Sequence, residues 1–258
     1  MELTFIQIYN QYNIYIYNYA LKLTCHPEDA KDITQETFIK AFKSLATLQE
    51  EKAVAKWLRT ICYHEFLMKV RDTLPLVTIT EEEQAILEEQ GRILASHPPL
   101  PEEEVIVAEE IKNLQNGCFL AMVRRLTLNQ RIVFSMVDMF GLDVDYVAHV
   151  LGLSKGATKG LLYRARMNLD SFFAKHCSLL EENNPCSCKA WIDFSSKREN
   201  MQQNAKKLTN HINYKETGYE YNEKVRAKIF YLYSNMPEQK PPREWYESLL
   251  KIISEKNS

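Results

Sequence analysis

Between Ser154 and Arg166 the chain gathers Ser154, Lys155, Thr158, Lys159, Tyr163, Arg164 and Arg166. Cations neutralise phosphates, while hydroxyl, ammonium and guanidinium groups reach base edges, so this set suits nucleic-acid recognition. A second group, Asp32, Gln35 and Glu36, falls at helical spacing. In isolation it reads as a solvated acidic surface. A third group, His176, Cys177, Cys186 and Cys188, supplies four soft ligands within thirteen residues. Arithmetically that completes a structural Cys3His zinc site. Yet Cys186 and Cys188 lack the usual two-residue knuckle spacing, and adjacent His176 and Cys177 would strain one tetrahedron. Reduced thiols or a redox-sensitive pair therefore stand beside zinc as readings. No cofactor is otherwise required. The sequence has no glycine-rich phosphate loop, no His-Glu-x-x-His, no nucleophile elbow and no carboxylate pair away from helix surfaces. A binding protein, not an enzyme, is expected.

These groups need elements to hold them. In the stretch from Gly141 to Leu169, Val144, Val147, Ala148 and Leu151 form one apolar helical face. Gly152 then permits a sharp turn, Leu153 is placed to plug the angle, and Ser154 is a good N-cap for a second helix. That helix is expected to bury Ala157, Leu161 or Leu162, Ala165 and Leu169, leaving its cations and Thr158 on the surface. A helix–turn–helix with a basic second helix fits the major groove; an ordinary helical hairpin with a solvated basic face is the alternative. Upstream, Phe119, Met122, Val123, Leu126, Ile132, Val133, Met136 and Val137 are available as its supporting core.

Nearer the N-terminus, residues 2–24 read as an amphipathic helix with Phe5, Ile8, Tyr12, Tyr15, Tyr19 and Leu23 along one side. The tyrosines are core with hydroxyls at the rim, or else a stacking platform for bases. A helix beginning at Pro27, with Glu28 and Asp29 in its first turn, buries Ala30, Ile33, Thr37, Phe38, Ala41 and Leu45 and turns Asp32, Gln35, Glu36 and Lys40 outward. A third helix runs from Ala53 to Asp72. Beyond residue 176, helices are expected near Glu223–Ser234 and Arg243–Ile253, with Val225, Ile229, Leu232, Trp245, Leu249 and Ile252 as apolar stripes that pack on each other or on a partner.

The 258 residues carry a net charge of −2, which hides an uneven distribution. Residues 73–112 hold ten Glu against Arg92 and Lys112, a local −8, so the remainder is about +6. Seven glycines are few, and three-to-four spacing dominates, which argues for an all-α chain. No apolar run is long enough for membrane insertion and no signal-peptide pattern opens the chain, so a cytoplasmic protein with mainly reduced cysteines is expected.

With Leu126, Gln130 and Arg131 upstream, the helix–turn–helix resembles sigma domain 4 of the extracytoplasmic-function, or group four, sigma factors. Their pattern is LPxxxR followed by GLSYEEIAxxLGxSxGTVKSRLxRAR. Gly141, Leu142, Ala148, Leu151, Gly152, Ser154, Gly156, Lys159, Leu162, Arg164, Ala165, Arg166 and Leu169 fall where that pattern expects them. Asp29, Ala30, Asp32, Ile33, Gln35, Glu36, Thr37, Phe38, Ala41 and Leu45 likewise resemble the DAEDLxQETFLRAWRAL helix of sigma domain 2. Trp57, Leu58 and Ile61 match the helix that melts promoters.

The resemblance implies four segments. Residues 1–72 would be sigma domain 2, 73–113 an acidic linker and 114–175 the helix–turn–helix domain 4. Residues 176–258 form a helical C-terminal extension of unknown role. It implies core RNA polymerase as partner, through Asp32, Gln35, Glu36 and Phe38. The melted −10 strand would meet Lys56, Arg59, His64, Phe66, Lys69 and Arg71. Double-stranded −35 promoter DNA would meet Ser154, Lys155, Thr158, Lys159, Tyr163, Arg164 and Arg166, and an anti-sigma factor is a further partner the family admits. A sigma-derived stand-alone regulator, or an interaction module acting through the tail, are the rival readings. His64 replaces the asparagine often found at its position, and Gly160 and Leu161 replace the serine and arginine of VKSRL. A glycine there costs about 1 kcal/mol of helix stability, so altered promoter affinity is expected.

Overall fold

A computed structural model describes residues 4–48, 50–71, 119–177 except 121 and 125, four positions between 180 and 184, 220–234, 236, 238–241 and 243–255. These form α1 (Phe5–Thr24), α2 (Pro27–Lys43), α3 (Val54–Arg71), α4 (Leu128–Phe134), α5 (Val144–Leu151), α6 (Lys155–His176), α7 (Glu223–Ser234) and α8 (Arg243–Glu255). The all-α expectation holds, and among the described residues no helix is long and apolar enough to cross a membrane. Contacts divide the chain into two units, Met1–Pro75 with Pro237–Ser258, and Leu76–Met236. Residues 176–258, read from sequence as one extension, thus give α7 to the second unit and α8 to the first. The linker of 73–113 lies outside the described residues.

In the first unit α1 starts at a capping box. Gln7 N–H donates to Thr4 Oγ1 at 3.4 Å while Thr4 N–H donates to Gln7 Oε1 at 2.9 Å, so each relieves an orphan donor. The helix stops where Cys25 enters the left-handed region at φ 53°. Pro27 opens α2 as expected, its N-cap being His26, whose Nδ1 accepts from Asp29 N–H at 3.4 Å. Helices α1, α2 and α3 pack into a bundle whose centre holds Ile8, Tyr9, Phe38, Leu58 and Phe66. From Ile16 to Leu21 every residue of α1 is buried, more than one amphipathic face allows. Helix α8 is the reason. Tyr9 donates to Tyr246 O at 3.0 Å, Tyr17 meets the Trp245 ring at 6.3 Å, and Leu249 is buried. The Asn18 amide grips the Gln239 backbone at both ends, donating to its carbonyl at 3.0 Å and accepting from its N–H at 2.9 Å. The tyrosines of α1 divide accordingly, with Tyr9, Tyr17 and Tyr19 in the core and Tyr12 and Tyr15 half-buried at its rim.

In the second unit Phe119, Met122, Val123, Leu126, Ile132, Val133, Phe134 and Met136 form the core beneath α5 and α6, with Val137 only half-buried. After α4 the chain widens into a π-helical turn, Ser135–Met139. Such a turn inserts a residue into the helical register and re-aims the side chains around it. Here it carries Asp138, which is 4% exposed at its side chain. Helix α7 lies against α6 and this turn, burying Val225, Ile229 and Tyr233. The two stripes, read as packing on each other or on a partner, therefore belong to separate units. The side chains of Leu232 and Ile252 lie outside the described residues.

Candidate functional site

The helix–turn–helix is built as its local chemistry dictates. Asp143 caps α5, its Oδ1 accepting from Asp145 N–H at 2.7 Å. Gly152 closes it at φ 63°, where Leu153 N–H donates to Ala148 O at 3.0 Å. Leu153 itself is 36% exposed, and the buried residues of α5 are Val147 and Ala148. Ser154 caps α6 as expected, Oγ accepting from Ala157 N–H at 3.1 Å.

Helix α6 buries Thr158, Leu162, Ala165 and Leu169, while Ala157 is exposed and Leu161 half-buried. The phase of its first turn differs by one residue from expectation. Thr158 is fully buried, with its hydroxyl donating to Ser154 O at 3.0 Å; a threonine that satisfies its own polar atom packs like valine. Its assignment as a DNA-facing group is corrected by that burial. Lys155, Lys159, Tyr163 and Arg164 remain exposed along α6. Lys155 pairs with Asp145 at 2.7 Å, and that hydrogen bond raises its pKa. Exposed pairs of this kind are weak, so a phosphate can compete for the ammonium.

Arg166, 41% exposed at its side chain, is paired within the unit. Its Nε and Nη2 donate to the two oxygens of Asp138 at 2.8 and 2.6 Å, a bidentate pair that raises its pKa and ties α6 to the π turn. Asp138 Oδ2 also accepts from Arg226 Nη2 at 3.2 Å, and Arg226 Nη1 donates to Asp170 Oδ1 at 2.9 Å. Arg226 further donates to Tyr233 at 2.7 Å and lies 5.5 Å from the centre of that ring. Burial pushes Asp170 up to about 6, Arg226 opposing. None of Asp138, Asp170 and Arg226 was singled out from sequence. No local pattern points to them, since Arg226 meets its partners across 56 and 88 positions.

On the first unit Asp32, Gln35 and Glu36 do share one face. They line a shallow groove with Ile33 from α2 and Glu65, Met68 and Lys69 from α3. Asp32 and Glu36 are exposed and Gln35 is half-buried, which makes an acidic rim over the apolar surface of Ile33 and Met68. Glu65, buried at 7% exposure, holds the groove together by accepting from Lys40 at 2.6 Å. Phe38 does not belong to this face. It is wholly enclosed, with its ring 4.9 Å from Tyr9 and 6.4 Å from Phe5, so its partner-contact assignment is withdrawn.

Of the candidate −10 residues, Lys56 and His64 are exposed on α3, with His64 beside the Tyr63 ring at 5.9 Å. Arg59 is half-buried and donates to the Tyr15 hydroxyl. Lys69 pairs with Asp32 at 2.5 Å and Asp29 at 3.4 Å. Burial works against its charge, but the bond to Asp32 outweighs that and its pKa rises. Phe66 is 1% exposed and cannot stack on a base without opening the bundle, which corrects that assignment. The Arg71 side chain lies outside the described residues. So do Cys186 and Cys188; of the four zinc candidates, His176 stacks on Phe172 at 4.9 Å and Cys177 is buried where α6 ends.

Residues 8–73 match the family model Sigma-70 region 2, and residues 116–169 match Sigma-70, region 4. Among curated proteins, the chain is 27% identical over 168 residues to the RNA polymerase sigma factor YlaC of Bacillus subtilis, covering 65% of this chain and 91% of that one. It is 29% identical to the ECF RNA polymerase sigma factor SigE of Mycolicibacterium smegmatis, over 63% of this chain and 59% of the relative. Identity to the ECF RNA polymerase sigma factor BldN of Streptomyces coelicolor is 28%, over 62% and 57%. Both family models end before α7, so neither reaches the tail helices. A grooved three-helix unit and a helix–turn–helix thus follow one another as Sigma-70 regions 2 and 4, and the chain is similar to the extracytoplasmic-function sigma factors.

Proposed function

We propose that this chain is an alternative sigma factor that binds core RNA polymerase and directs promoter-specific transcription initiation in the cytoplasm. It is not itself an enzyme in this reading; RNA synthesis belongs to the polymerase. The groove rimmed by Asp32, Gln35 and Glu36 docks on the core enzyme, its carboxylates meeting cations and its apolar floor meeting aliphatic side chains. Lys56, Arg59 and His64 on α3 face the melted −10 strand, where an imidazole can stack on an unpaired base. Lys155, Lys159, Tyr163 and Arg164 on α6 meet the −35 element.

The observation that carries this reading is the division of α6 along its length. Its N-terminal half is capped, solvent-facing and cationic, while its C-terminal half, from Leu169 to Phe173, is buried. A helix used only for packing has no reason to project its first two turns. A Cβ at Gly160 would lie 3.4 Å from Arg164 Nη1, an ordinary contact with the end of a flexible side chain. Run-off transcription with bacterial core polymerase and genomic promoter fragments tests the proposal. Discrete transcripts are expected from the parent and none from the Asp32→Arg, Glu36→Arg variant. Core binding without transcripts would turn attention to His64 and Leu161, and failure to bind core at all would favour a stand-alone regulator.

A further inference from the structure

We infer that Arg226, in the tail, is a positioning residue for the DNA-reading helix α6, an inference that rests on the reading of α6 given above. Four charged groups meet in the second unit. Asp138 comes from the π turn, Arg166 and Asp170 from α6, and Arg226 from α7. The side chains of Asp138, Asp170 and Arg226 are 4%, 0% and 13% exposed. Two carboxylates buried this deeply need cations held in fixed geometry, because an unmatched buried charge is costly. Among the described residues Arg226 is the one group that hydrogen-bonds to both of them, through separate guanidinium nitrogens. Asp170 Oδ2 has no hydrogen-bond partner among the described residues, so the carboxylate is held through the oxygen that Arg226 grips, with the Arg166 charge adding to it.

The consequence for α6 follows from where these groups sit. Arg166 and Asp170 are one turn apart on α6, and both are fastened through Asp138 and Arg226 to elements outside it. The fastening lies immediately after the exposed half that carries Lys159, Tyr163 and Arg164. That half contains Gly156 and Gly160, which favour its helical state poorly. Its direction is therefore set by the anchored turns that follow it. Both family models stop before residue 223, so Arg226 is a contribution of this chain's own extension. The tail thereby gains a role in promoter reading that requires no contact between tail and DNA.

The test uses the full chain and two variants. Arg226→Met removes the bridge. Arg226→Lys keeps a cation in the cluster, and with it the fold, but a single ammonium lacks the fork that spans two carboxylates. Amide hydrogen exchange is read without DNA. The duplex probe is one selected from a random-sequence pool by the parent protein with bacterial core polymerase. Faster exchange across Lys155–Arg164 is expected in both variants, with unchanged core binding. Affinity for the selected duplex should fall about tenfold in Arg226→Met and less in Arg226→Lys. Exchange that rises in α7 alone, with duplex affinity unchanged, would overturn the inference and leave Arg226 as a staple for the tail. Failure to select any duplex would overturn the DNA reading instead, and the exchange pattern would still decide whether Arg226 holds α6.

Discussion

The two tail helices solve the same problem by opposite chemistry. Helix α8 and the segment before it join the first unit through neutral contacts, namely the Leu249 side chain, the Tyr17 and Trp245 rings, and the Asn18 amide on the Gln239 peptide group. Helix α7 joins the second by burying Val225, Ile229 and Tyr233 and, in addition, through a half-buried arginine between two aspartates. Apolar burial is non-directional and insensitive to pH, whereas buried ions specify one geometry and penalise every departure from it. The ionic joint is found beside α6, the helix proposed to read DNA. The neutral joint lies on α1, whose task is to fill the bundle.

The largest expected effect is at the ionic joint. Asp138→Ala should leave Arg166 and Arg226 facing each other without their shared anion, costing about 3–5 kcal/mol. Chemical denaturation followed by exchange of the second unit would measure it; a loss comparable to a surface substitution would remove the distinction between the joints. Next is Leu249→Ala, which opens a cavity under α8 and should cost the first unit about 2–5 kcal/mol. That cost should be the same at pH 5 and pH 8, and a marked pH dependence would break the comparison from the other side.

The smallest effect sharpens it. Burial raises Asp170 from 3.8 to about 6, so between those values the folded chain holds a proton that the unfolded chain has released. Stability from this group is therefore greatest below the unfolded value and is lost as pH rises through about 6, by at most about 3 kcal/mol. Replacing Asp170 with Asn should flatten the slope of unfolding free energy against pH across that window. An unchanged slope would mean that Arg226 compensates the carboxylate fully.

Much of the candidate site could be read locally. Pro27, Gly152 and Ser154 act within one turn of themselves, so the starts of α2 and α6 and the turn between α5 and α6 fall where those residues place them. The groove face of Asp32, Gln35 and Glu36 was legible for the same reason, since three residues at helical spacing must share a side. The errors have one common origin. Periodicity tells that a stripe is buried but not its width. Phe66 was therefore assigned to a surface although it fills the bundle, and Thr158 was taken as exposed although it hides its hydroxyl on Ser154; Phe38 was read as buried, and only the resemblance lent it a partner role.

The sequence by itself determined the helices, their caps, the acidic linker composition and the family, because each depends on residues close together along the chain or on a motif held in order. Only the tertiary structure decided where the tail goes. The pairing of Arg226 with Asp138 and Asp170, and of Asn18 with Gln239, joins residues from 56 to 221 positions apart. Such pairs leave no periodic trace. Their partners are selected by which buried groups would otherwise be unsatisfied, and burial exists only once the units have packed.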